Sequence, residues 1–157
     1  MAEKLGGKIQ VNRNIFNNFG ILSIGILATL KETRELSLPE LLLISPFVTH
    51  SALLGHLARK NTQIKSLEQL IIQKTVWFSN FNERYYASIP ETLNAIQLLH
   101  DIELILWDGR SCSMTEEVPY QTSMGTRAHK IYNASKNLAE LISGDVANAY
   151  NNLRIQL

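Results

Sequence analysis

Cysteine is almost absent from this chain, because Cys112 is the only one among its 157 residues. A single thiol cannot form an intramolecular disulfide, and it excludes a zinc site built from several cysteines. This composition is typical of a reducing compartment, so we expect a cytoplasmic protein. Cys112 follows a predicted hairpin turn, and a structural thiol is the simplest interpretation of it.

Charge is also scarce. Charged residues make up 18% of the chain, compared with about a quarter in an ordinary globular protein. The formal net charge of +1 provides no overall field that would attract nucleic acid or a phospholipid surface. Any nucleic-acid contact would therefore need a local basic patch. A surface with little charge is typical of a protein that is partly covered by a partner.

Long apolar runs are missing too. The longest, Phe19 to Leu30, is interrupted by Ser23 and Thr29 and is too short to cross a bilayer. The first residues, Met1 to Lys8, are polar and lack the apolar core of a signal peptide. The sequence therefore predicts no association with a membrane.

What the chain does contain is helical periodicity along most of its length, which predicts a mainly α, compact domain over residues 15–157. Residues 1–14 are polar, and we expect them to form a flexible arm. The first predicted helix, Ile15–Thr33, carries apolar side chains at helical spacing. Gly20 and Gly25 on this helix predict that another helix approaches it closely.

Three serines are each followed three residues later by Glu or Gln, the spacing of a helix-capping box. They are Ser37, Ser66 and Ser88, and each predicts a helix start. Pro46 is expected to bend or end the first of these helices, because the residue before a proline is pushed out of the helical region. The helix opened by Ser88 is expected to turn Leu93, with Ile96 and Leu99, toward the core.

A β-hairpin is predicted directly after that helix. Glu103–Trp107 is β-prone, Asp108-Gly109 is a strong two-residue turn signal, and Arg110–Met114 forms the return strand. A helix that leads straight into such a hairpin is typical of winged-helix domains, so the predicted fold is winged-helix-like. A long helix over Ser123–Ser143 and a short one over Asp145–Leu153 complete the prediction.

No catalytic motif is present in the sequence. Neither a Gly-x-Ser-x-Gly elbow nor a phosphate-binding Gly-rich loop occurs. The spacing of His50 and His56 places them on different sides of a helix, unlike metal-binding pairs three or four residues apart. A small hydrolase site at His100, Asp101 and Glu103 is the weakest hypothesis. We expect no enzymatic activity, no cofactor and no metal.

Basic residues are the candidates for nucleic-acid contact. Arg59 and Lys60 are two of them, but the set that we favour is Arg110, Arg127, Lys130 and Lys136. The helix before the hairpin offers Glu91, Asn94, Gln97 and His100 but no lysine or arginine on the corresponding stretch. A helix that reads a DNA groove is usually basic. This pattern favours a protein-binding module over a DNA-reading one.

Four segments together resemble the middle component of bacterial three-component ABC-ATPase systems. The segments are Asn17–Leu22 with the apolar helix after it, Leu36–His50, Thr92–Leu99 with its hairpin, and Ile131–Ala139 followed by Leu153-Arg154-Ile155. The resemblance runs from about Asn14 to Ile155. Small subunits of the Lamassu anti-phage systems are similar to this class.

The resemblance implies a non-catalytic accessory subunit. Such a subunit would bind an SMC-like coiled-coil ATPase, link it to DNA sensing and connect it to an effector subunit in an anti-phage defence complex. Candidate partner contacts lie on the first helix and at the C-terminus: Asn17, Phe19, Leu22, Leu153 and Ile155. The alternative hypothesis is a winged-helix transcriptional regulator that binds DNA itself.

Overall fold

A computed structural model describes the backbone of residues 2–157 and the side chains of residues 18–157. Within this range the fold is mainly helical with one small sheet, as the sequence predicts. The elements are α1 (Ala2–Thr33), β1 (Glu35–Ser37), α2 (Leu38–Val48), α3 (Ser51–Leu57), α4 (Leu67–Gln73), α5 (Phe81–Asp101), β2 (Ile105–Trp107), β3 (Ser111–Met114), α6 (Thr126–Ile142) and α7 (Val146–Asn152). Short 3-10 helices cover Thr75–Phe78 and Thr122–Met124.

Helix α1 is the central helix of the fold and packs against α2, α5 and α6. Its buried side chains include Leu22, Ile26 and Leu30, which confirms the predicted apolar stripe. The helix begins at Ala2, well before the predicted start at Ile15. The predicted arm, residues 1–14, falls where side chains lie outside the described residues, so the division into arm and domain stays a prediction.

Helix α2 starts at the capping box that the sequence predicts. The carboxylate of Glu40 accepts hydrogen bonds from the backbone N–H of Ser37 at 2.7 Å and from its hydroxyl at 2.9 Å. The helix was predicted to bend or end at Pro46. This prediction was wrong in position, because α2 continues through the proline to Val48. A proline near the C-terminal end removes one helical hydrogen bond but does not force an immediate break. The break follows at Thr49 and His50, where α3 departs at 104°.

Helix α5 corrects the prediction for the third capping box. It runs without interruption from Phe81 to Asp101, so Ser88 and Pro90 lie inside it. The hydroxyl of Ser88 donates to the carbonyl of Tyr85 at 2.9 Å instead of capping a helix start. Packing of this buried face against α1 and α2 holds the helix together through the proline. Leu93 is 42% exposed, which was also not predicted, because the buried stripe runs through Thr92, Ala95 and Ile96.

The predicted hairpin is confirmed and extended by a third strand. Strands β2 and β3 pair in antiparallel fashion, with Trp107 opposite Cys112. Strand β1 joins the other edge of β3, with Leu36 opposite Cys112, so the strand order is β1-β3-β2. Three residues were too few for β1 to give a sequence signal. The helix-hairpin arrangement is winged-helix-like, with α5 leading directly into β2.

The C-terminal helices close the core. Helix α6 begins at Thr126, three residues after the predicted start at Ser123, and ends at Ile142, one residue before the predicted end. Gly144 follows at φ +104°, as predicted for a residue that terminates the helix. Tyr150 on α7 donates its hydroxyl to the carbonyl of Pro39 at 2.7 Å and lies 3.1 Å from the hydroxyl of Tyr85. The C-terminal segment is thereby tied to the starts of α2 and α5.

In the range 2–157, no single helix is long and apolar enough to cross a membrane. Only α2 and α3 taken together reach that length and composition, and they are bent by 104° at the break between them.

Candidate partner interface

The structure places three of the five candidate partner contacts in the core of the chain itself. Leu22, Leu153 and Ile155 are buried, and Phe19 is partly buried against the same core. The side chain of Asn17 lies outside the described residues. In this conformation a partner can touch Phe19, whereas the three buried side chains contribute to packing.

The four favoured basic residues do not form one surface. Arg127 and Lys130 line the same small cavity between α3 and α6. The guanidinium of Arg127 donates to the carbonyls of Val48 and Thr49 at 3.3 and 3.2 Å. It therefore satisfies carbonyls at the C-terminal end of α2, where a positive charge is favourable.

Lys136 and Arg110 have different surroundings. Lys136 shares a cavity with Glu32, Glu35 and Glu140, which weakens any attraction to phosphate. Arg110 is exposed in the hairpin turn beside Asp108, whose carboxylate accepts the backbone N–H groups of Arg110 and Ser111, both at 2.8 Å. These hydrogen bonds lower the pKa of Asp108, so an ionised carboxylate stands next to Arg110.

His100, Asp101 and Glu103 do not converge on a common centre. The Nδ1 atom of His100 accepts the backbone N–H of Trp107 at 3.3 Å, and the Asp101 carboxylate accepts the Gln97 side-chain amide at 2.8 Å. Glu103 adopts φ +65° at the turn after α5, and its carbonyl accepts the hydroxyl of Thr115 at 2.7 Å. Each residue joins α5 to the hairpin region or stabilises its own helix.

Potential catalytic and metal-binding groups elsewhere also have structural partners. Burial raises the pKa of the Cys112 thiol to about 12, with the charge of Asp108 adding to the effect, so the thiol is protonated and unreactive at neutral pH. The Nδ1 atom of His50 accepts the backbone N–H of Leu53 at 3.1 Å and caps α3. In the described part of the chain no group of three His, Cys, Asp or Glu side chains is placed to hold a metal.

An open groove of about 530 Å³ lies between α4, the start of α5 and the C-terminal segment. Ile71, Phe78 and Leu153 supply its apolar wall, and Glu83 and Arg154 are its charged groups. Two exposed aliphatic side chains on α4 and the following 3-10 helix, Ile72 and Val76, are 76% and 81% exposed.

The solvent-exposed side of α5 carries several apolar side chains. Tyr86, Pro90 and Leu93 are exposed at spacings of four and three residues, so they lie on one stripe of the helix. We call this stripe the α5 face. Farther along, Leu98 and Ile102 are also exposed. Exposed apolar side chains along one stripe of a helix are typical of surfaces that proteins use for binding.

Charge supports the same interpretation of the α5 face. The helix contains one arginine and no lysine, and that arginine, Arg84, turns inward to donate to the carbonyl of Pro46 at 2.6 Å. The exposed charged groups on α5 are Glu83 and Asp101. The sequence predicted the shortage of positive charge correctly. It missed the exposed apolar stripe because Leu93 was assigned to the core.

Comparisons with known proteins identify the family of the chain. No curated protein and no solved structure matches the chain. A family model described as "ABC-three component (ABC-3C) system Middle Component 3" matches residues 8–157. The predicted resemblance to middle components is thereby confirmed, and such a component works with protein partners. The chain belongs to the Middle Component 3 family of ABC-three component systems.

Proposed function

We propose that this chain is a non-catalytic accessory subunit that binds the SMC-like ABC ATPase of its three-component system. In this proposal it also connects the ATPase to an effector subunit and to DNA sensing, in a cytoplasmic complex that acts in anti-phage defence. Its family supports the proposal, because a middle component acts with the other components of an ABC-3C system.

The observation that carries the proposal is the α5 face. Tyr86, Pro90 and Leu93 form an exposed stripe on this helix. Covering the stripe with a partner would remove apolar surface from water, which lowers the free energy. Acidic groups, Glu83 and Asp101, lie on the exposed side of the same helix. The complementary partner surface is apolar at its centre and basic at its rim.

The alternative function, a winged-helix regulator, places α5 in the major groove of DNA. That placement would bring Glu83 and Asp101 close to phosphates without a lysine on the helix to offset them. The charge of α5 therefore favours a protein partner.

The test is co-expression of the tagged chain with the other components of its system, followed by affinity purification and gel filtration. We expect the ATPase to co-purify in a defined complex. A Leu93→Glu variant should lose most of the ATPase, because a charge would be buried without a partner at the centre of the contact.

A matched control is Val76→Glu, which places the same charge on a more exposed aliphatic position outside α5. This variant should retain the ATPase. Recovery of the wild-type chain alone, as a stable monomer or homodimer, would refute the proposed function and make binding to promoter DNA the next measurement. Equal loss of the ATPase in both variants would refute the assignment of the interface to α5.

A further inference from the structure

A small cleft between α3 and α4 gathers basic side chains that the proposed function does not use. His56 and Lys65 line this cleft, which has a volume of about 160 Å³. The amide side chains of Gln63, Gln69 and Gln73 line it as well, and no carboxylate does. Cationic and amide N–H groups are donors that suit the oxygens of an anion.

Two further cations, Arg59 and Lys74, flank this cleft without lining it: Arg59 follows His56 by three residues, and Lys74 follows Gln73, which lines the cleft. Burial is the main cause that lowers the pKa of His56, and the charges of Lys74 and Arg59 lower it further. The ammonium of Lys74 lies 4.9 Å from the centre of the Trp77 ring, and the His56 ring lies 5.5 Å from it. We call His56, Arg59, Lys65 and Lys74 the basic cleft.

Carboxylates near the basic cleft are turned away from it. Glu68 on α4 accepts the side-chain amides of Asn148 at 2.9 Å and Asn152 at 2.7 Å, on the side of the helix that faces α7. Among residues 18–157 the one ion pair joins Lys31 to Glu117 at 3.6 Å. Arg59, Lys65 and Lys74 are therefore not neutralised by ion pairs within the described part of the chain.

Lys65 lies between the cleft and a second cavity, and it lines both. Glu68, Glu140 and Asp145 also line the second cavity. Arg59 and Lys74 do not border that cavity, and they are therefore the better positions for substitution.

Size indicates what kind of anion fits. A cleft of about 160 Å³ is smaller than the roughly 300–1,000 Å³ of ordinary small-molecule sites. Its charge is spread over the ends of α3 and α4 and beside an aromatic ring, so it suits an extended polyanion that touches the surface at several points. Phosphates along a nucleic-acid backbone have this form, and aromatic rings next to cations are common where proteins bind nucleic acid.

We propose that the basic cleft contacts the phosphodiester backbone of nucleic acid through Arg59, Lys74 and His56. This inference deepens the proposed function, since it places the DNA contact of the complex on this chain and on the side formed by α3 and α4. Arg59 is one of the basic residues that the sequence offered, but the set favoured there was Arg110, Arg127, Lys130 and Lys136, and the basic cleft contains none of these four.

The test measures binding of the full-length chain to a labelled duplex of about 25 base pairs by fluorescence anisotropy. Titrations at salt concentrations from about 50 to 200 mM give the salt dependence. The wild-type chain should bind with an affinity that falls steeply with salt. The double variant Arg59→Gln/Lys74→Gln should bind roughly tenfold more weakly for each lost contact near 0.1 M salt, and its salt slope should be shallower by about one for each.

The matched control is Lys130→Gln/Lys136→Gln, which removes the same net charge from α6 and should bind as the wild type does. Thermal unfolding of both variants checks that they are folded. The proposal is overturned if the wild-type chain shows no binding at the lowest salt, or if only the control variant loses binding. Binding to polyglutamate but not to DNA would also overturn it, in favour of an acidic protein segment.

Co-purification with the ATPase separates this inference from the proposed function. The Arg59→Gln/Lys74→Gln variant should still recover the ATPase, because the α5 face is intact. A chain that binds DNA through the cleft but never recovers the ATPase would support the cleft and refute the accessory-subunit proposal.

Discussion

Arg84 and Pro46 are joined by a 2.6 Å hydrogen bond from the guanidinium Nη1 to the proline carbonyl. Pro46 lies in the last turn of α2, where carbonyls have no partner within the helix. The other terminal nitrogen of Arg84 donates to the carbonyl of Trp77 at 2.7 Å. One side chain on α5 therefore fastens the end of α2 to the 3-10 helix that precedes α5.

From this arrangement we predict that Arg84→Met destabilises the domain by about 2–3 kcal/mol, because two partly buried carbonyls lose a charged donor. Arg84→Lys should recover only part of this, since an ammonium cannot reproduce the planar fork of donors. Urea denaturation measures both. A loss below about 0.5 kcal/mol in Arg84→Met would contradict the role assigned to this contact. Glu83→Gln, at an exposed neighbouring position, is the control and should change little.

The contact between Arg84 and Pro46 illustrates what the sequence could and could not predict. Local signals worked where the deciding interactions are local, as in the capping pair of Ser37 and Glu40 or the turn at Asp108. The same kind of signal failed at Ser88. There the choice between a new helix and a continued one depends on packing against distant parts of the chain, and tertiary contacts override a local capping preference.

The candidate site divides in the same way. The absence of lysine and arginine from the exposed side of α5 is a property of the sequence, and it was predicted. Which apolar residues remain exposed depends on the packing of several helices, so Leu93 was assigned to the core and Leu153 to an interface, the reverse of their burial. The basic cleft joins His56 on α3 with Arg59 and Lys65 in the following segment and Lys74 just after α4, and no single stretch of sequence displays it.

Gly25 is the point of close approach between α1 and α2. A Cβ atom at this position would lie 3.1 Å from Cγ2 of Ile44 and 3.5 Å from both Cγ atoms of Val48. We predict that Gly25→Val destabilises the domain by about 1–3 kcal/mol, because the buried neighbours must shift to admit the larger side chain. The measurement is the free energy of unfolding in urea.

Gly20 provides the control for this prediction, since a Cβ there would meet no atom within 4 Å. Gly20→Val should be neutral or stabilise the domain by a few tenths of a kcal/mol, because valine forms helix slightly better than glycine. Equal destabilisation by the two substitutions would contradict close packing of α1 on α2 as the cause of the effect at Gly25.

His50 makes the stability of the domain depend on pH. Its Nδ1 atom accepts the backbone N–H of Leu53, a role that requires an unprotonated nitrogen. Burial, followed by the nearby charge of Arg84, lowers the pKa of His50 below its ordinary value of 6.5. A histidine whose pKa is lowered by folding binds protons more readily when unfolded, so stability rises with pH through this window.

We therefore predict that the contribution of His50 is complete above about pH 6.5 and is lost as the pH falls from there toward the lowered pKa. Loss of one helix cap costs about 1 kcal/mol, which corresponds to a decrease in Tm of about 2–4 °C in a domain of this size.

His50→Asn tests this prediction, because asparagine retains a capping oxygen that does not titrate. The Tm of this variant should change less than that of the wild type between about pH 7.5 and about pH 5.5, which lie roughly one unit either side of the ordinary pKa of histidine. Because the pKa of His56 is lowered as well, His56→Gln should remove a separate part of the pH dependence without touching the α3 cap. An unchanged pH dependence in His50→Asn would mean that the cap is not the group that titrates.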